Sequence, residues 1–192
     1  MTEKEKMMSG SEFYTGDPEL MKDKAAARMK ASSYNELAED DPEVGNKRIS
    51  ILRSTFAKVG DGSFIKPPFH CDYGYQISVG DHFFANFDCV FLDAGRIVIG
   101  DHCMLGPGTC IAAVTHPIDP ARRDLGIGIP KDVILGDHVW TGANVSILPG
   151  VTLGNNVVVG AGAVVTKSFP DNVVIAGNPA RVIKEVEKPD LH

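Results

Sequence analysis

The chain has 192 residues, 43% of them hydrophobic and 23% charged, with a formal net charge of −6, which suits one ordinary buried core. An acidic balance without a basic stripe excludes nucleic acid as the main partner, because phosphates need clustered Lys and Arg. No run of apolar residues is long enough to cross a membrane, and Met1-Thr2-Glu3-Lys4-Glu5-Lys6 lacks a signal peptide's apolar core, so a cytoplasmic location is expected.

Residues 1–60 read as a helical cap. Asp17-Pro18-Glu19 offers an N-cap carboxylate with proline at the first helical position, and good helix formers follow through Leu37. Asp41-Pro42-Glu43 repeats the device before a second helix, on which Ile49, Leu52 and Phe56 form an apolar stripe that ends near Gly60. The pair is too small to stand alone and is expected to cover an open end or flank of the larger domain beyond residue 60. The segment from Phe64 to Gln76 reads as extended and irregular.

From Val79 to Pro170 the rule is a period of six. Aliphatic or small residues recur at Val79, Ala85, Phe91, Ile99, Leu105 and Ile111, then at Leu135, Thr141, Ile147, Leu153, Val159 and Val165. A second set lies four residues after most of these: Cys89, Cys103, Thr109, Thr115, Val139, Val145, Val151, Val157 and Ala163. Gly, Asp, Asn and Pro fall between. Six is neither the helical 3.6 nor plain alternation, although positions i and i+4 share a strand face. Each hexad is therefore a short strand and a turn, and the repeat predicts a parallel β-helix. Three hexads close a turn of about 18 residues that stacks at about 4.8 Å, which gives roughly four coils.

The repeat has two defects. Phe91 to Ile99 is a step of eight, which makes a bulge of Ala94, Gly95 and Arg96. Between Ile111 and Leu135 the template would put Pro117 and Arg123 in the core, so residues 117–132 must leave the prism as a loop. Loops of that length in a compact domain are usually functional. Past Phe169-Pro170-Asp171 the prism breaks, and residues 185–192 form a polar tail. The outward valines flanking the inward ones, as in Val157-Val158-Val159 and Ala163-Val164-Val165, predict an apolar outer face that needs a partner.

Four cysteines, Cys71, Cys89, Cys103 and Cys110, show no C-x-x-C spacing and read as reduced packing residues. Gly-Asp-His occurs at His82, His102 and His138, one corner of successive coils. Stacked histidines could bind zinc, but a shared place after Gly-Asp marks turn residues. His116 stands where the loop begins, and an imidazole that titrates near neutrality suits removal of a hydroxyl proton.

The runs Asp72-Tyr73-Gly74-Tyr75, Phe84-Ala85-Asn86-Phe87, Thr115-His116-Pro117-Ile118-Asp119-Pro120, Val164-Val165-Thr166-Lys167 and Gly177-Asn178-Pro179-Ala180-Arg181 resemble the hexapeptide-repeat sugar O-acetyltransferases, the maltose and galactoside enzymes above all. The resemblance spans nearly the whole chain. It implies a left-handed β-helix, acetyl-CoA as cosubstrate, a small sugar acceptor, no required metal, and a homotrimer with active sites between subunits. His116 would be the general base and Asn86 would help hold the acceptor or the reacting groups, unless it only fills a left-handed corner. Asp17, Asp72 and Asp93 would meet sugar hydroxyls. Gly142 and Ala143 would give the oxyanion a backbone donor, Ala161 would line the pantetheine groove, and Thr166, Lys167, Arg181 and Lys184 would meet phosphates. Trp140, read from its own outward place beside the loop, is expected to anchor the loop rather than touch substrate.

Two departures stand out. Gly128 occupies a place where the family usually has glutamate, and Asp132 replaces the proline common after Lys131. Both put maltose itself in doubt, and an amine or other non-sugar acceptor remains an alternative. A metal enzyme related to γ-class carbonic anhydrases and a non-catalytic scaffold are the rival classes.

Overall fold

In the computed structural model, which describes residues 1–186, short strands stack into a parallel β-helix of about six turns. Each turn adds one strand to each of three faces. Face I stacks Lys58–Val59, Ile77–Val79, Ile97–Ile99, Val133–Leu135 and Thr152–Leu153. Face II stacks Phe64–Ile65, Phe84–Ala85, Met104–Leu105, Trp140–Thr141, Val158–Val159 and Val173–Ala176, and the antiparallel strand Arg181–Glu185 closes it. Face III stacks Phe69–Cys71, Cys89–Leu92, Cys110–Ala112, Ser146–Ile147 and Val164–Val165.

The twelve inward residues of the first set are all buried, as are those of the second set except Thr115, which is half-exposed where the chain turns outward. Thr109 and Thr141, polar but inward, bond each other at 2.9 Å, and Thr141 Oγ1 also accepts the Gly106 N–H at 3.0 Å. Paired in this way, the hydroxyls avoid the cost of burial without a partner. All four cysteines are free, three of them buried.

The edge between faces I and II explains Gly-Asp-His. A Cβ on Gly100 would lie 2.3 Å from Asp137 Oδ1 and 2.7 Å from the Gly136 carbonyl carbon, so only glycine fits beneath the next coil. The aspartates form a ladder, with Asp81 N–H donating to Asp101 Oδ1 and Asp101 N–H to Asp137 Oδ1, each at 2.8 Å. The following His82, His102 and His138 sit at φ 55°, 56° and 58°, the left-handed region that ordinary residues avoid. Their rings stack at 4.8 and 5.0 Å, and stacked rings carry their in-plane nitrogens side by side without converging on one ion. The turn reading of these residues holds.

Three expectations need correction. The stretch from Phe64 to Gln76 is not irregular: with Lys58–Val59 it forms a complete first coil, in register with the second through Lys58↔Ser78, Phe64↔Phe84 and His70↔Val90. That coil, and a last partial turn around Val173–Ala176, bring four coils to six. Asp41-Pro42-Glu43 does not cap a helix. Glu43 is the N-cap and makes no side-chain cap bond, while Asp41 Oδ1 accepts Glu43 N–H in a preceding turn.

The cap helices bind the first coil. In α2 (Pro18–Asn35) Asp17 caps the start by accepting from Glu19 N and Leu20 N. At its other end Asn35 behaves like a neighbouring strand, since its amide donates to Phe69 O at 2.9 Å and accepts from Phe69 N at 3.0 Å. Tyr34 and Phe56 meet the Phe69 ring edge-on at 5.1 and 5.9 Å. Phe56, just after α3 (Val44–Thr55), also meets Phe91. A further helix, α1 (Glu3–Met8), starts with a Thr2/Glu5 capping box. No helix among the described residues is long and apolar enough to cross a membrane.

Candidate active site

The loop leaves the edge between faces III and I, and it is built rather than loose. Val114–Thr115 pairs antiparallel with Ile127–Pro130, which pairs on its far side with Phe13–Tyr14. Between them α4 (Pro120–Asp124) is capped by Asp119. His116 follows the first of these strands, and its ring is exposed. Its Nδ1 lies 2.9 Å from the carbonyl oxygen of Ile127. A carbonyl only accepts, so Nδ1 is the donor, and Nε2 makes no hydrogen bond among the described residues. A general base requires such an unengaged nitrogen.

Asp72 and Asp93 share this edge through the register Cys71↔Phe91↔Ile111. Asp72 lies beside α2, with Arg28 Nη2 at 3.1 Å and Lys24 Nζ at 3.5 Å. It helps line a cavity of 430 Å³ with Arg28, Ser32, Asn35, His70 and Leu92. Asp93 is fully buried, a place that departs from a sugar contact. Its carboxylate accepts the N–H groups of Tyr73 at 2.8 Å and Asp72 at 3.1 Å, so it shapes the turn that presents Asp72. Burial pushes its pKa up to about 7, and the nearby Asp72 charge adds to the rise. Asp17 follows Phe13–Tyr14, the strand held against the His116 loop, and its carboxylate is engaged as the α2 cap.

Asn86, Gly142, Ala143 and Ala161 lie on the edge between faces II and III. The ladder Ala85↔Leu105↔Thr141↔Val159 puts Asn86, Gly106, Gly142 and Gly160 in one column, with Ala143 and Ala161 in the next. Asn86 does not sit in the left-handed region; Asp88 takes that place at φ 61°. The Asn86 Oδ1 accepts from Phe87 N at 2.9 Å. Gly142 N–H is used within the prism, donating to Val159 O at 2.7 Å, so of the expected oxyanion pair Ala143 is the one whose N–H makes no hydrogen bond among the described residues. A Cβ at Gly142 would stand 2.7 Å from Ala161 N, whereas one at Gly162 would meet nothing within 4 Å. Ala161 and Gly162 are exposed. This open, small-residue column fits a thin chain such as pantetheine.

The four expected phosphate ligands do not form a single cluster. Thr166 and Lys167 follow Val164–Val165 onto the III/I edge, where Lys167 Nζ lies 5.6 Å from the Phe169 ring centre. Arg181 pairs with Ala176 beside the II/III edge, and Lys184 pairs with Val174 on face II. Trp140 also lies on face II, half-exposed, so it does not anchor the loop of its own chain.

Both departures have local causes. A Cβ at Gly128 would lie 2.7 Å from the Phe13 ring and 2.8 Å from Thr15 Cγ2. Asp132 receives Arg96 Nη2 at 2.6 Å, Arg96 Nε at 2.8 Å and the Arg96 backbone N–H at 2.8 Å. It pins the end of the loop to the bulge predicted from the eight-residue step.

Comparison with known proteins agrees with this arrangement. Residues 132–167 match the family model described as bacterial transferase hexapeptide (six repeats), and residues 6–60 match the maltose acetyltransferase hexapeptide capping motif. A maltose O-acetyltransferase from Clostridium difficile 630 superposes with a TM-score of 0.93 at 48% identity, covering 98% of this chain and 99% of that one. A galactoside acetyltransferase in complex with coenzyme A gives a TM-score of 0.91 at 33% identity, over 97% and 92% of the two chains. Nodulation protein L of Rhizobium meliloti (strain 1021) is 44% identical over 181 residues, 94% of this chain and 97% of its own. The fold and its edges thus define a hexapeptide-repeat acyltransferase. Within that class, the chain belongs to the acetyl-CoA-dependent acetyltransferases of the maltose and galactoside O-acetyltransferase type.

Proposed function

We propose that the protein moves an acetyl group from acetyl-CoA directly to a hydroxyl of a small sugar, with His116 as the base. The observation that carries this reading is the 2.9 Å contact of His116 Nδ1 with Ile127 O, which leaves Nε2 as the ring nitrogen without a partner among the described residues. In the reaction Nε2 takes the hydroxyl proton as the sugar oxygen attacks the thioester carbon. Negative charge gathers on the thioester oxygen, where the Ala143 N–H serves as donor. Collapse breaks the C–S bond, and the imidazolium returns its proton to the departing thiolate of CoA. Base catalysis of this kind is worth ~10²–10⁴-fold.

Within one chain, the base, Asp72 and the Asp17 end of α2 lie on one edge, and Asn86, Ala143, Ala161 and Arg181 lie on the next, with face III between them. A site that uses both sets forms where the III/I edge of one copy meets the II/III edge of another. A homotrimer closes such a head-to-tail contact. The outer side of face II supports it, because Phe64, Phe84, Met104, Trp140, Val158 and Val174 run in register as an apolar row. Met104 and Trp140 are 49% and 51% exposed in the single chain. The free thiols suit a cytoplasmic setting.

The test is release of CoA thiol from acetyl-CoA with a panel of mono- and disaccharides and amines, for the native chain and His116→Ala. Sugar-dependent release that falls by two or more orders of magnitude in the variant supports the reading. Full activity in the variant refutes the base, and release only with amines refutes the acceptor class.

A further inference from the structure

The N-terminal segment is tied to the His116 loop by a continuous set of bonds. Thr15 donates twice to the Gly126 carbonyl, from its backbone N at 2.9 Å and from Oγ1 at 2.8 Å. Successive carbonyls of a strand point to opposite sides. With Gly126 O turned toward Thr15, Ile127 O is turned the other way, toward His116, and there it meets Nδ1. Tyr14 stands opposite Ile127 and Phe13 opposite Gly128. On the far side of Tyr14, Glu3 Oε2 accepts its backbone N–H at 2.6 Å, and α1 is held to α2 by Lys4 and Asp23 at 2.7 Å. Phe13 is itself buried with Met7, Leu20, Tyr73 and Ala94. Arg122 of α4 reaches Glu12 at 2.5 Å.

We infer that Phe13–Thr15 is a positioning element for the catalytic base: it fixes the strand whose Ile127 carbonyl holds His116 in the Nδ1–H form. The inference rests on His116 being the base, and it adds Thr15 and Gly128 as the residues that set its tautomer and aim. Gly128 belongs to the device because, as Phe13 and Thr15 are packed in this chain, a Cβ there would stand 2.7 Å from the Phe13 ring and 2.8 Å from Thr15 Cγ2, so one of them would have to shift. In this reading Thr15 and Gly128 are positioning residues. They act through the carbonyl they immobilise, and small displacements of a reacting group cost up to ~10²-fold in rate.

The experiment compares Gly128→Ala, Thr15→Val and Thr15→Ser with the native full-length chain. Turnover is measured with the best acceptor, and the His116 tautomer is read by nitrogen NMR of histidine-labelled protein. Gly128→Ala is expected to lower kcat by about tenfold or more, with the KM for acetyl-CoA unchanged, and to move His116 from the Nδ1–H toward the Nε2–H form. Thr15→Val shifts both readouts in the same direction by less, and Thr15→Ser, which keeps the hydroxyl, restores them. A folded Gly128→Ala protein with native kcat and native tautomer overturns the inference. Should Gly128→Ala not fold, the Thr15 pair decides: equal behaviour of the Val and Ser variants overturns it. A tautomer shift without a rate change, in a protein whose His116→Ala form stays active, refutes the base and not the positioning.

Discussion

His116 Nδ1 and the carbonyl oxygen of Ile127 lie 2.9 Å apart, and that one contact joins the end of one loop strand to the start of the next. The carbonyl accepts, the imidazole donates, and the second ring nitrogen has no partner among the described residues. Removing the ring while keeping the backbone should leave the loop in place and abolish proton removal. His116→Ala is expected to bind CoA as the native chain does and to lose ~10²–10⁴-fold in kcat. Calorimetric titration of CoA beside steady-state rates checks both halves. Equal loss of binding would assign the residue to the cofactor groove.

Asp93 predicts a pH signature in stability. Its carboxyl ionises near the ordinary 3.8 in the unfolded chain and only at about 7 in the fold. Between those values the folded chain holds a proton that the unfolded chain has lost, so stability falls as pH rises through that window. The difference is on the order of 4 kcal/mol. Asp93→Asn keeps an oxygen for the Tyr73 and Asp72 N–H groups and removes the titration. Denaturation midpoints at pH 5 and pH 8 should converge in the variant relative to the native chain. An unchanged slope would place the carboxyl in contact with water.

The glycine column at the I/II edge predicts a local intolerance. In Gly100→Ala the new Cβ would stand 2.3 Å from Asp137 Oδ1 and 2.7 Å from the Gly136 carbonyl carbon. Overpacking of this kind costs about 1–3 kcal/mol, which lowers Tm by several degrees in a chain of this size. Gly162→Ala meets nothing within 4 Å, so it should be milder, with strain only from its φ of +71°. Thermal melts of the two variants side by side give the comparison.

The Arg96–Asp132 pair makes the opposite kind of prediction. Its side chains are 65% and 36% exposed, and exposed pairs are typically worth about 0–1 kcal/mol. Asp132→Ala should therefore shift Tm little. Its effect should show instead as faster proteolytic cleavage near Lys131, because the loop end loses its tie to the bulge. Native protease resistance in the variant would contradict that role.

Much of the fold is legible in the residues alone. The hexad decides which side chains face in, because a narrow prism accepts only small or apolar residues at i and i+4. Gly-Asp-His reads as a turn for the reason seen in the fold. The first coil carries the same signal in a fainter form: Val59, Ile65 and Cys71 keep the six-residue step, and the step of eight from Cys71 to Val79 repeats that from Phe91 to Ile99. Thr2-x-x-Glu5 likewise announces α1 as a capping box. Phe13–Tyr14 cannot be found this way. It is two residues long and owes its conformation to Gly128 and Ile127, more than a hundred residues on. Site residues are legible as residue types, but their division between two edges is not, since Thr166 and Arg181 are near in sequence and lie on different edges of the prism.

Mixing two inactive variants tests that division. His116→Ala and Asn86→Ala chains, each purified, are denatured together in equal amounts and refolded. If each site takes His116 from one copy and Asn86 from its neighbour, about one site in four recovers both residues, and activity returns to about a quarter of native. Refolded mixtures that form the native assembly but stay as inactive as either parent would show that one chain supplies both residues, and would contradict a site shared between copies.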